Sequence, residues 1–270
     1  MLLIVDCGAS KTDWCVLEGT SPRMVHTPGF NLVQTPPDVL TGILDQAAKE
    51  IGPGVDRVHF YAAGLLEKSA LDLGRWFPGA SIEYASDVLG AARAVCGREP
   101  GVALILGTGA NSCSYDGQKI GWKVDSGGFI LGDEGSAAVL GRLFVTDFIK
   151  KRQPEALSQA FREQFQADYV SLVKHVYTQP SPARYLGSFA PFILSHYADF
   201  DYVKELVDNN FRQLFERTLL QYDRSLPVGV VGSFGYSCRN LLRQMGEEYG
   251  VRFSRFIATP IEGLLQYHAL

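Results

Sequence analysis

The chain is poor in cysteine, and its cysteines are not arranged for a shared task. Cys7, Cys15, Cys96, Cys113 and Cys238 are odd in number and widely spaced, with no Cys-x-x-Cys. That excludes a disulfide framework and a zinc-type spacing, and the five read as small, reduced core residues. A basic run is also missing. Lys and Arg number 25 against 29 Asp and Glu, a formal net charge of −4, which argues against nucleic acid and makes a small molecule the default partner. No apolar stretch is long enough to span a bilayer, and the first residues turn acidic at Asp6 without a basic flank. Neither a membrane partner nor a secretory leader is indicated, so cytoplasmic residence is the expectation. At 270 residues, 46% hydrophobic and 20% charged, the chain can build a sizeable core in one to two domains.

The most informative stretch that is present is Asp6-Cys7-Gly8-Ala9-Ser10-Lys11-Thr12-Asp13. It lies between the apolar run Leu2 to Val5 and a second strand-like run, Trp14 to Leu17. A turn with so little side-chain bulk lets backbone N–H groups converge on a phosphate, while Asp6 at the strand end can hold Mg²⁺ through water. It is not a Walker loop: Ser10 stands where Gly should precede the lysine, and a strand rather than a helix follows. An ordinary hairpin with a small-residue turn fits the same residues equally well.

Periodicity predicts a third strand near Met24 to Thr27, a helix Pro37 to Ile51, strand Val58 to Ala63, helix Glu67 to Phe77, strand Ser81 to Ala85 and helix Leu89 to Cys96. Three strands followed by alternating helix and strand imply a mixed sheet covered by helices. Gly97 to Gly101, with Pro100, marks a plausible boundary. The theme then restarts: strand Val102 to Leu106, a Gly107-Thr108-Gly109-Ala110-Asn111 turn, strand Ser112 to Tyr115, and another at Lys119 to Val124. Helical patterns over 135–152, 155–177, 183–197 and 201–224 make the second half the more helical. Strands return at Val228 to Val231 and Phe253 to Ile257, with a helix between them running to about Tyr249. Two hairpins with small-residue turns suggest two related domains facing one another across a cleft.

Four further constellations carry possible chemistry. The glycines of Gly107 to Ser112 permit close backbone approach to a ligand, such as the other side of a polyphosphate, or simply make a hairpin turn. In Gly127-Gly128-Phe129-Ile130-Leu131-Gly132-Asp133-Glu134-Gly135-Ser136-Ala137, two acids are bracketed by glycines ahead of a helix starting near Ser136. Capping explains one acid but hardly four glycines; carboxylates that accept from vicinal hydroxyls, with glycines that let a ring lie on the backbone, suit a sugar. Asp87, between a strand and a helix, fits either a general base or an N-cap, and Asn31 fits a sugar donor or a turn asparagine. Gly232-Ser233-Phe234-Gly235 makes a strand, glycine turn, helix unit, which suits a purine ring or merely a tightly packed helix entry.

Taken in this order, these motifs resemble the acetate and sugar kinase, heat-shock ATPase and actin superfamily. The GTGAN and GDEGSA strings are most similar to its branch of N-acetylglucosamine kinases and BadF/BadG/BcrA/BcrD-type ATPases, and the likeness covers nearly the whole chain. It implies an α/β protein of two ribonuclease-H-like domains, an actin-like ATPase fold with ATP in the interdomain cleft. The domains fall at 1–100 and 101–270, and the last helix could pack back on the first. It further implies ATP and Mg²⁺ as cofactors, an amino-sugar kinase activity and a possible homodimer. Residue by residue, Asp87 resembles the catalytic base. Asn31, Asn111, Gly127, Gly128 and Asp133, with Asp87, fall at sugar positions; Asp6, Gly8, Ser10, Lys11, Thr12, Gly107, Thr108, Gly109, Gly232 and Ser233 fall at nucleotide positions. Two departures stand out. Cys7 replaces a more usual glycine, which a core-directed side chain would accommodate, and the chain is shorter than mammalian-type relatives. Two other functions share the likeness. One is an ATPase activator of a radical acyl-CoA dehydratase or reductase, which would need a paired-cysteine cluster site; the other is a sugar-sensing regulator, for which no helix-turn-helix extension is evident. Retention of Asp87 favours chemistry over sensing.

Overall fold

The computed structural model describes residues 1–8, 11–19, 21–32, 35–63 and 71–268. The chain forms an α/β fold with mixed sheets, divided into two compact units: 1–100 with 115–121 and 259–270, and 101–114 with 122–258. Among the described residues no helix is long and apolar enough to cross a membrane.

In the first unit, β1 (Leu2–Cys7), β2 (Lys11–Glu18) and β3 (Ser21–Pro28) form an antiparallel meander, and β4 (Arg57–Ala62) and β5 (Ser81–Ser86) add in parallel, in the order β3-β2-β1-β4-β5. Alternation along β1 decides the two faces. Leu3, Val5 and Cys7 enter a core with Ile43, Leu44, Ala47 and Ile51, the apolar stripe of α1 (Pro37–Ile51). Asp6 therefore belongs to the other face, the one on which α2 (Asp87–Cys96) packs together with the last helix, Ile261–His268. These two helices meet through small residues: a Cβ on Gly263 would lie 2.1 Å from the Ala94 carbonyl oxygen. The last helix is further tied down where Tyr61 Oη meets His268 Nε2 at 2.7 Å and accepts from Arg93 at 2.7 Å.

In the second unit, β6 (Gly101–Leu106), β7 (Ala110–Tyr115), β8 (Val228–Val231) and β9 (Phe253–Ile257) form a sheet ordered β7-β6-β8-β9. Between β7 and β8 come α3 (Gly128–Leu131), α4 (Ala137–Ile149), α5 (Glu155–Phe165), α6 (Tyr169–Thr178), α7 (Pro182–Gly187), α8 (Ala190–Ser195) and α9 (Asp201–Arg217). Next, α10 (Ser233–Ser237) and α11 (Arg239–Tyr249) join β8 to β9, and the last helix of the chain is α12. The core gathers Val102, Leu104 and Leu106 of β6 with Phe144, Phe161, Phe211 and Phe215.

Several expected elements differ. The helix over 67–77 has its first part outside the described residues, and the rest holds only a 3₁₀ turn, Leu73–Arg75, begun by Asp72 accepting from Gly74 N–H. The strand over 119–124 reduces to a single bridge, Tyr115 to Ile120. Asp116 draws in the N–H groups of Gln118 and Lys119, and Val124 N–H donates to Tyr222 Oη, so no ladder continues. The helix over 155–177 is two helices, because Gln166 is left-handed and Asp168 starts a new capping box with Ser171. Pro191, lacking an N–H, sits in the first turn of α8 and restarts the helix expected over 183–197.

Candidate functional site

In the first unit the candidate residues gather at the carboxyl end of β1. Asp6 stands directly opposite Asp13 of β2, and the fields of both Asp13 and Asp87 reach it. Burial is the largest influence on Asp6, followed by these two carboxylates; against a smaller opposing pull from Lys11 they push its carboxyl up from 3.8 to about 7. The residue as a whole is partly exposed, while the carboxyl is crowded by protein. Asp87 begins α2, accepts from the N–H of Val88 at 2.9 Å and lies at the positive end of the helix dipole, which favours its anion. The cap itself is Ser86, whose hydroxyl accepts from Leu89 N–H, so the N-cap reading of Asp87 is replaced: it occupies the first helical position.

The first turn is closed by Gly8 N–H donating to the Lys11 carbonyl at 3.0 Å. Ser10 lies outside the described residues. Thr12 is buried and its hydroxyl faces inward, 3.3 Å from Cys7 Sγ and 3.4 Å from the Pro28 carbonyl. Cys7 in turn donates to the Phe30 carbonyl at 3.3 Å, and burial pushes its thiol up to about 11. The cysteine side chain thus enters the core and anchors the segment leading to Asn31, whose N–H donates to Thr35 Oγ1 at 3.0 Å.

In the second unit the candidates converge on the end of β6. The carbonyls of Gly107 and Thr108 accept from Ala137 and Ala138 N–H at 3.0 Å each, joining the turn to the start of α4. Asp133 does not cap α4; Ser136 does, accepting from Val139 N–H. Instead Asp133, left-handed at φ 55°, turns its carboxylate to the glycine turn, accepting from Ala110 N–H and crowding Gly109. Burial raises its carboxyl above the usual range, the Ala110 bond opposes this, and Glu134 adds to the rise. Gly127 and Gly128 are exposed and left-handed, in a loop closed by Asp133 N–H donating to the Ser126 carbonyl at 3.0 Å. A polar crevice of about 20 Å³, room for roughly one water, is lined by Asn111, Ser112, Asp125, Asp133 and Glu134, among others.

Gly232 packs on this same strand end. Its φ of 129° suits only glycine, and a Cβ there would fall 2.4 Å from the Leu106 carbonyl oxygen. The glycine turns at 107 and 232 are therefore neighbours, with Thr108 and Ser233 both exposed.

Sequence reasoning missed three contributors. Asp13 and His26 join the first cluster through strand register, and their signal was the alternation along β2 and β3. Asn210, buried in α9, accepts from Gly135 N–H at 3.2 Å and donates to the Ser136 carbonyl at 3.3 Å, holding the acidic loop from far along the chain. Nothing local marks it. The cysteines remain separate: all five are free and only Cys96 is not buried.

No protein-family model matches the chain, and no curated protein matches it in sequence. Among solved structures, a proposed N-acetylglucosamine kinase from Porphyromonas gingivalis is 37% identical, with a TM-score of 0.89 over 99% of this chain and 98% of that one. A proposed N-acetylglucosamine kinase from Chromobacterium violaceum is 19% identical, TM-score 0.72, covering 98% of each chain. A ROK family glucokinase from Streptomyces griseus, solved with glucose and AMPPNP, is 15% identical with a TM-score of 0.55 over 98% of this chain and 97% of that one. The last two agree in fold alone.

Proposed function

Because the chain belongs to the N-acetylglucosamine kinase-like family of the sugar kinase, heat-shock ATPase and actin superfamily, we propose that it transfers the γ-phosphoryl group of ATP to a hydroxyl of an amino sugar such as N-acetylglucosamine. The observation that carries this reading is that Asp6 near the end of β1 and Asp87 just past the end of β5, with β4 between those strands, lie close enough for the Asp87 charge to reach Asp6. Phosphoryl transfer asks mainly for positioning and charge neutralisation, with one carboxylate to take the acceptor proton and another to hold a metal.

Asp87 is the proposed base, placed at the first position of α2 with Val88 N–H donating to its carboxylate. Asp6 is the proposed anchor for Mg²⁺, through water. Asp13 and Asp87 both load negative charge onto it with Lys11 in partial opposition, an excess of negative charge that suits a hydrated divalent cation held through water. The metal would neutralise phosphate charge. Gly8, Ser10, Lys11 and the Thr12 backbone, with Gly107, Thr108 and Gly109, are assigned to the phosphates, and Gly232 and Ser233 to adenosine. Asn31, Asn111, Gly127, Gly128 and Asp133 are assigned to the sugar. The two ribonuclease-H-like domains and a homodimer rest on the family likeness, and cytoplasmic residence on the sequence pattern. The activator reading has no observation on its side, given four buried and scattered cysteines.

A coupled ADP-release screen over a panel of amino sugars with Mg²⁺ tests the proposal. One sugar should stimulate release well above the others; a flat panel would refute an amino-sugar kinase.

A further inference from the structure

Strand register places Asp6, Asp13 and His26 directly opposite one another across β1, β2 and β3, and so on one face of the sheet. Lys11, two residues before Asp13 along β2, shares that face. Asp13 is the hub of this row and is only 2% exposed. Its two oxygens are divided between two side chains: Oδ2 accepts from Lys11 Nζ at 2.7 Å and Oδ1 pairs with His26 Nδ1 at 2.8 Å. Both of those side chains are largely exposed, at 59% and 64%.

A buried carboxylate facing Asp6, which it repels, is a costly way to build a hairpin. A neutral side chain of the same size would pair the strands without that repulsion. What the carboxylate adds is a fixed address for a long, flexible ammonium that solvent would otherwise leave to many rotamers.

We infer that Asp13 is a positioning residue, braced by His26, that pins the Lys11 ammonium beside the first turn for the phosphates of the nucleotide. The inference rests on the reading of that turn as a phosphate element. A pinned ammonium has little freedom left to lose when the ligand arrives, so the benefit falls on the phosphates and not on adenosine. Plain electrostatics predicts the opposite sign, since removing a negative charge near a polyphosphate should tighten its binding. Asparagine separates the two accounts, because it keeps the shape but offers one acceptor oxygen to two donors and carries no charge.

The test measures Mg²⁺-AMPPNP binding by calorimetry and adenosine binding by ligand-observed NMR for wild type, Asp13→Asn, Lys11→Met and the double variant. Asp13→Asn should weaken AMPPNP about tenfold, the scale of one charge-assisted hydrogen bond, and leave adenosine unchanged. Lys11→Met should match it, with the double variant no weaker than Lys11→Met. AMPPNP binding that is unchanged or tighter in Asp13→Asn would overturn the inference. So would parallel losses for AMPPNP and adenosine, or single effects that multiply in the double variant. Should Asp13→Asn not fold, His26→Phe must weaken AMPPNP in the wild-type background and not in Lys11→Met; an equal effect in both would refute the clamp. A wild-type chain that binds no AMPPNP would remove the kinase reading first, and the clamp with it.

Discussion

Replacing Asp6 by Asn should make the metal-free protein more stable at alkaline pH while disabling it. In the unfolded chain this carboxyl ionises near 3.8; in the folded protein it does so near 7. Between those values the native state holds a proton that the unfolded state has released, so stability falls as pH rises through the window and levels off above it. A gap of about three pH units corresponds to roughly 4 kcal/mol. Local relaxation and water penetration soften the burial of such a carboxyl, so about half of that, ~2 kcal/mol, is the expected gain of Asp6→Asn at pH 8.5. Near pH 4 the two proteins should be nearly equal. Urea denaturation of both in EDTA at pH 4, 5.5, 7 and 8.5 measures the difference. A gap between them that does not change with pH, or an Asn variant less stable at pH 8.5, would show that Asp6 is not held protonated by its surroundings. Mg²⁺ with nucleotide should restore stability at pH 8.5 to the wild type only, since mass action favours the ionised native form that binds the metal.

Three other substitutions follow from the geometry. Asp87→Asn should lower sugar-dependent ADP release by ~100-fold or more, the usual share of a general base, with ATP affinity retained in a direct binding assay; undiminished turnover would exclude the role. Gly109→Ala puts a Cβ 2.8 Å from Asp133 Oδ2, and the displaced carboxylate should raise the sugar KM roughly tenfold, the scale of a lost bond to a charged group. Gly232→Ala meets both a φ of 129° and the Leu106 carbonyl, and should cost on the order of 3 kcal/mol in urea unfolding; a silent change would contradict the close approach of the two glycine turns.

Much of the fold was legible in local pattern. The helix over 37–51 and the strands over 228–231 and 253–257 stand where periodicity places them, because each has a continuous apolar face or run and a clear stop. The failures were equally physical. Periodicity carried a helix through 166–168, where the left-handed Gln166 and the Asp168 cap break it. An apolar alternation at 119–124 looked like a strand, but its backbone is claimed by Asp116 and Tyr222.

The candidate site divides in the same way. Acid and glycine in tight turns after apolar strands, at Asp6, Gly107 and Gly232, are properties of the chain itself, since strand ends and turn chemistry are local. Whether an individual group faces a ligand or the interior is not. Folding turns the Thr12 hydroxyl onto Cys7 and Pro28, and it sets the Asp133 carboxylate beside the 107–110 turn, where Ala110 N–H fixes its position. The Asp6-Asp13-His26 row and the Asn210 tether exist only after strands pair and α9 packs. Register and long-range packing bring together residues that share no local pattern, and the strength of a carboxylate depends on which charges those contacts set beside it.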